Sequence, residues 1–188
     1  MKFWTIQPKE VLDIIMKEDI YIADFKKSSY IQELPDLMDL YGLFLDSFNA
    51  HNDTNLPGLV FAFAQSNNTN LFEIPNIESF RQLMIEKEPA VGGFWTSITK
   101  KNACILELEY NADEFNPIFI DFNDFQFLMP PITVPLPPYT EPDIARLVGH
   151  IHNGTVETSI FPSYVMQAHL PFIRKENIIC GYEMFPLQ

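Results

Sequence analysis

Apolar residues along this chain follow first a helical period and then a strand period, and the changes of period mark its elements. Residues 1–25 read as strand, helix, strand, and the rest of the chain is expected to be organised around them. Lys2–Ile6 is the first strand. Pro8 suits the opening turn of a helix, where a missing N–H costs nothing. Val11, Leu12, Ile15 and Met16 then share one helical face up to Asp19, and Ile20–Ile22 is the second strand. Lys26–Glu33 is polar and reads as a loop. A second helix runs from Pro35 to Asn49 with a broad stripe of Leu37, Met38, Tyr41, Phe44, Leu45 and Phe48. Asn52–Gly58 is a turn cluster. Leu59–Ala64 is apolar on both faces, as a central strand would be. Leu71–Ile74 is a short strand, and Asn76 caps a helix to about Lys87 that turns Ile77, Phe80, Leu83 and Met84 inward.

Gly92-Gly93 punctuates the chain before a predicted strand at Phe94–Ile98, and Thr99–Asn102 reads as a hairpin turn. Ala103–Tyr110 alternates, with Cys104, Leu106, Leu108 and Tyr110 on one face and Glu107 and Glu109 on the other, so one face should meet water. Pro117–Ile120 is a strand and Asp121–Met129 a short aromatic helix. Residues 130–142 hold six prolines and no glycine. They can be neither helix nor central strand and read as an extended surface loop: a crossover, a lid or a partner-docking arm. Thr140 then caps a helix through Ile144, Leu147, Val148 and Ile151, ended by Asn153-Gly154. Strands at Thr155–Phe161, Tyr164–Leu170 and Ile178–Phe185 complete the chain. Helices early and strands late predict one α+β domain over residues 1–188, with a mixed, mainly antiparallel sheet of six or seven strands and three to four helices. The two chain ends are expected to pair in that sheet and to bring Trp4 and Gln167 together across a cleft.

At 47% hydrophobic and 20% charged residues the composition is that of a globular chain. The net charge of −13 repels nucleic acid and anionic lipid, so direct binding to either is disfavoured. It serves solubility, or it forms a face that docks on a basic protein, including one that normally holds nucleic acid. No apolar run approaches the ~18 residues of a membrane span, and Met1-Lys2-Phe3-Trp4 has no leader character. A cytoplasmic protein is expected. Cys104 and Cys180 stand among apolar residues on predicted strands and are expected to be buried free thiols.

Glycine-rich phosphate loops, the GxSxG elbow and the HExxH pair are all missing from the sequence. His150 and His152 could share a metal only on a strand, with Glu157 or His169 as a third ligand; on a helix they face different directions. A small metal-dependent hydrolase around His150, His152 and His169 is the resulting expectation. Cys180 and His169 could form a nucleophile pair, although burial would raise the thiol pKa. The remaining candidates are polar residues on predicted strands: Thr5, Gln7, Thr96, Ser97, Gln167 and His169, together with Trp4. Polar side chains turned inward need partners, and a ligand can supply them.

Phe3-Trp4-Thr5-Ile6-Gln7, the aromatic strand Leu59–Gln65, the pairs Asp121-Phe122 and Asp124-Phe125, and Gln167-Ala168 resemble a bacterial family known as a domain of unknown function, in which the opening motif is Leu/Phe-Trp-Thr-Ile-Gln. The two chain ends also resemble the ADP-ribosyltransferase-like fold, with Gln167-Ala168-His169-Leu170-Pro171 as its closing strand and crossover. That resemblance implies a site for NAD or a similar nucleotide. Trp4 stands where that family has a first-strand His, and an indole cannot accept a hydrogen bond. Gln167 stands for Glu and lacks the charge that stabilises a cationic sugar. The resemblance therefore implies a nucleotide pocket that is catalytically degenerate. Three functions follow: a non-enzymatic acidic protein-binding or ligand-binding protein needing no cofactor, an ADP-ribosyltransferase-like NAD binder, and the metal-dependent hydrolase. Whether the chain is an enzyme stays open.

Overall fold

A computed structural model describes residues 1–33, 35–67, 70–129, 139–156 and 159–187. The first half comprises β1 (Lys2–Pro8), α1 (Lys9–Glu18), β2 (Ile20–Tyr21), a 3-10 turn (Phe25–Lys27), α2 (Ser29–Glu33), α3 (Leu37–Asn52), β3 (Val60–Ser66) and β4 (Leu71–Phe72). Next come α4 (Ile77–Glu86), α5 (Glu88–Thr99), β5 (Ala103–Glu109), β6 (Ile118–Asp121), α6 (Phe122–Leu128) and α7 (Glu141–Asn153). β7 (Val165–Leu170), β8 (Ile173–Arg174), a second 3-10 turn (Lys175–Asn177) and β9 (Ile178–Glu183) close the chain. The fold is α+β, and every strand pairing among the described residues is antiparallel. The main sheet has seven strands, ordered β6–β7–β3–β1–β5–β9, with β4 extending the far end of β3; β2 and β8 form a separate ribbon. Among the described residues seven α-helices stand where three to four were expected.

The opening strand is central, flanked by β3 and β5, and Phe3, Trp4, Thr5 and Ile6 are all buried. The two chain ends share one sheet without pairing along it, since β3 separates β7 from β1 and β5 separates β9 from β1. Early and late segments meet directly in the small ribbon, where Ile20 lies opposite Arg174. Two aromatic-rich clusters make the core. The larger gathers Phe3, Phe44, Phe48, Leu106 and Leu170; the second, under α4 and α5, gathers Trp4, Phe63, Phe80, Trp95 and Phe185.

Several local expectations are met. Asn76 accepts the Ser79 N–H at 2.9 Å and caps α4. Thr140 donates to Asp143 through both its N–H, at 2.8 Å, and its hydroxyl, at 2.6 Å, and opens α7. Gly154 ends α7 at φ 63°, a conformation glycine adopts without strain.

Others are corrected. Phe94–Ile98 is not a strand; it lies inside α5, and Gly92-Gly93 is mid-helix. Val91, Trp95 and Ile98 keep a helical spacing with Pro89 in the first turn, and that period outweighs the β-prone composition. Lys26–Glu33 carries a 3-10 turn and α2 in place of a loop. The second face of β5 meets water only at its end: Glu109 is exposed, but Ile105 and Glu107 are buried, and Glu107 accepts from Lys2 Nζ at 2.7 Å and from the Tyr182 hydroxyl at 3.1 Å. Cys104 is buried as expected, but Cys180 is exposed because β9 is an edge strand. Of Thr155–Phe161, residues 157 and 158 lie outside the described residues and the remainder is not strand. Residues 130–138 of the proline-rich loop also lie outside them.

Candidate functional site

The structure places the seven predicted site residues in three different settings. Trp4 lies opposite Phe63, and Phe63 lies opposite Gln167. Residues paired across antiparallel strands point to the same face, so Trp4 and Gln167 share a face as expected. They stand two strands, roughly 10 Å, apart, and Phe63 fills the space between them. Trp4 is fully buried, stacks on Phe80 with centroids 5.0 Å apart and donates its indole N–H to the Ile74 carbonyl at 2.8 Å. Thr5 and Gln7 alternate to the opposite face. The Thr5 hydroxyl donates to the Phe61 carbonyl at 2.6 Å, and the Gln7 amide donates to Thr5 Oγ1 at 2.8 Å. Thr96 and Ser97, expected on a strand beside them, are exposed on α5.

Gln167 and His169 follow one another on the inner face of β7. His169 is fully buried, with Phe44 stacked 4.0 Å away and Phe61 edge-on at 5.0 Å. Its Nδ1–H donates to the Ile118 carbonyl at 3.1 Å, and burial pushes its pKa down to about 3. His169 is thus a neutral core residue. Its Nε2 and the Gln167 Oε1 are buried and find no hydrogen-bond partner among the described residues. Exposed Cys180 lies on β9 at the sheet edge, four strands from β7, so the pairing of that thiol with His169 is not formed.

His150 and His152 lie on α7, where residues two apart point in different directions. Among the described residues no group of three His, Cys, Asp or Glu side chains could hold a metal ion. Glu157, the other expected ligand, lies outside them.

Two buried carboxylates fix the segment that leads into β7. Asp121 caps α6 through the Asn123 N–H at 2.9 Å and accepts the Ser163 hydroxyl at 2.9 Å and the Tyr164 N–H at 3.2 Å. Asp124 accepts the Tyr139 hydroxyl at 2.5 Å and the Ser159 hydroxyl at 2.7 Å. Burial raises the pKa of both above the ordinary carboxylate value, more than these hydrogen bonds lower it.

The feature that sequence reasoning missed is the outer side of α3. Asp36, Asp39, Leu43, Asp46, Ala50 and Asp53 recur at alternating intervals of three and four residues, so they form one stripe. All four aspartates are exposed. Asp39, Asp46 and Asp53 are seven residues, or about 10 Å, apart along the axis. Among the described residues none of the four is ion-paired. No lysine or arginine occurs between Lys27 and Arg81. Both signals, the spacing and the cation-free stretch, can be read from the sequence. Asp36 and Asp39 sit at the positive end of the helix dipole and stabilise it. Asp53, at the C-cap with φ 51°, sits at the negative end, where a carboxylate is unfavourable.

Comparison of the chain with protein-family models, with curated proteins and with solved structures finds no match.

Proposed function

We propose that this chain is a non-catalytic acidic binding protein that lays the outer side of α3 against a basic face of another protein. The acidic stripe is the observation that supports this reading. Its charges are uncompensated within the described structure, and its C-terminal member opposes the helix dipole, so helix stability does not account for the pattern. Carboxylates regularly spaced on a rigid helix complement a row of lysines or arginines and steer such a partner into contact. A basic face that otherwise grips a nucleic-acid backbone has this chemistry.

The test compares the native chain with an Asp39→Asn, Asp46→Asn, Asp53→Asn triple variant in affinity capture from the source cell. The native chain is expected to retain a strongly basic protein, released by moderate salt, that the variant does not retain. Charge reversal on that partner should likewise abolish its capture by the native chain. An identical set of proteins captured by both forms would overturn the proposal. No helix of the described residues is long and apolar enough to cross a membrane, so capture should include the soluble extract.

A further inference from the structure

A pocket of about 400 Å³ opens beside the far end of β3. It is lined by Gln65, Ser66 and Asn67 at the end of β3, by Leu83, Glu86 and Lys87 at the end of α4, and by Tyr164. We infer that this pocket binds a small neutral polyhydroxylated molecule, of the size and chemistry of a mono- or disaccharide.

The volume lies within the usual range of small-molecule sites. The wall is mixed: beside the apolar surface that Leu83 contributes, it offers amide, hydroxyl, carboxylate and ammonium groups, which donate and accept as vicinal hydroxyls require, while the apolar part suits the C–H face of such a molecule. Its charges cancel: Lys87 Nζ lies 2.8 Å from Glu86 Oε1 and also 5.2 Å from the centroid of the Tyr164 ring. The one cation of the pocket is therefore already engaged, and the surrounding protein carries a net charge of −13. Both facts weigh against a phosphate or carboxylate ligand and leave a neutral hydrogen-bonding one.

Tyr164 shows that the pocket is held in shape. Its φ is 66°, a left-handed conformation that a bulky residue adopts only under constraint. Two bonds impose it: the Tyr164 N–H donates to Asp121 at 3.2 Å, and its carbonyl accepts the Ser66 N–H at 3.1 Å. Glycine would take this conformation without strain but would remove the ring. A tyrosine kept here at a backbone cost points to use of the ring, whose face can pack on the C–H side of a sugar.

Amide chemical shifts of the full chain, followed while glucose, galactose, N-acetylglucosamine and maltose are added to millimolar excess, test the inference. At least one of these sugars should move the signals of Ser66, Asn67, Lys87 and Tyr164 saturably. Tyr164→Gly should abolish that response while leaving the unfolding temperature unchanged or higher, because it relieves the strain. Three results would each overturn the inference: no response to any of the sugars, a response at these amides to inorganic phosphate or AMP instead, or an undiminished sugar response in Tyr164→Gly. Lys87→Gln, which leaves the backbone untouched, guards against misfolding of the glycine variant; it too should weaken the sugar response, and no weakening would count against the site.

Discussion

The two sides of α3 obey different rules. Its inner side is set by packing: Phe44 lies flat against His169, Tyr41 stacks on Phe61 with centroids 5.0 Å apart, and Phe48 is fully buried. Its outer side has only Leu43 partly packed against the core and carries four exposed aspartates, one of them at the end of the helix where stability would favour lysine. The comparison separates residues that build the fold from residues that the fold merely carries. The polar groups with the most obvious chemical promise, Gln167 and His169, fall in the first class, and plain surface aspartates fall in the second.

Substitutions can break this contrast, and the largest effect is expected on the inner side. Phe44→Ala should cost about 3–5 kcal/mol by removing a fully buried ring, read from urea unfolding; a loss below 1 kcal/mol would mean that the ring over His169 is loosely packed. His169→Leu should alter the pH profile of stability. The buried imidazole refuses a proton until about pH 3, while the unfolded chain accepts one near 6.5, so its contribution to stability falls as the pH drops through that window, at up to about 1.4 kcal/mol per unit. The variant should lose stability less steeply on acidification, and an unchanged profile would show that His169 is solvated.

Asp121 works in the opposite sense. Its pKa is raised above 3.8 by burial, so the folded state holds a proton that the unfolded state has released, and stability falls as the pH rises through the window above 3.8. Asp121→Asn should flatten that decline. It should also cost about 1–3 kcal/mol at neutral pH, because one acceptor of the Ser163 and Tyr164 bonds becomes a donor. A variant as stable as the native chain would show that the segment before β7 is held in some other way. The smallest effect belongs to the outer side. Asp53→Asn keeps the left-handed cap and removes the ill-placed charge, so it should stabilise α3 by about 0.3–1 kcal/mol. Destabilisation instead would show that this carboxylate serves the fold, and would blunt the contrast between the two sides.

Much of the fold could be read from periodicity, because α1, α4 and α7 and strands β3, β5 and β7 each keep one clear period within clear stops. The α5 segment could not, because Gly92-Gly93 and a run of aromatic and β-branched residues mimic a strand start, whereas the helix rests on Val91 and Trp95 reaching the core. The fate of Glu107 was hidden for a different reason. Alternation shows which side chains share a face, and says nothing of Lys2 and Tyr182 coming from neighbouring strands to cover that face. The site candidates are polar or amphipathic residues on predicted strands, yet inside the sheet the Thr5 hydroxyl and the Trp4 indole are consumed by internal hydrogen bonds, Gln167 and His169 are packed into the core, and Thr96 and Ser97 lie on a helix. The α3 stripe was legible all along, since its spacing is helical and its neighbours are buried.

The stretch without lysine or arginine between Lys27 and Arg81 has a practical side. Amine-reactive labels and cross-linkers find no lysine from α2 through the first turn of α4, and trypsin releases residues 28–81 as a single long peptide. Contacts made by this part of the surface will escape lysine-based mapping, whereas carbodiimide coupling of carboxylates, followed by cleavage at Asp and Glu, would report on them directly.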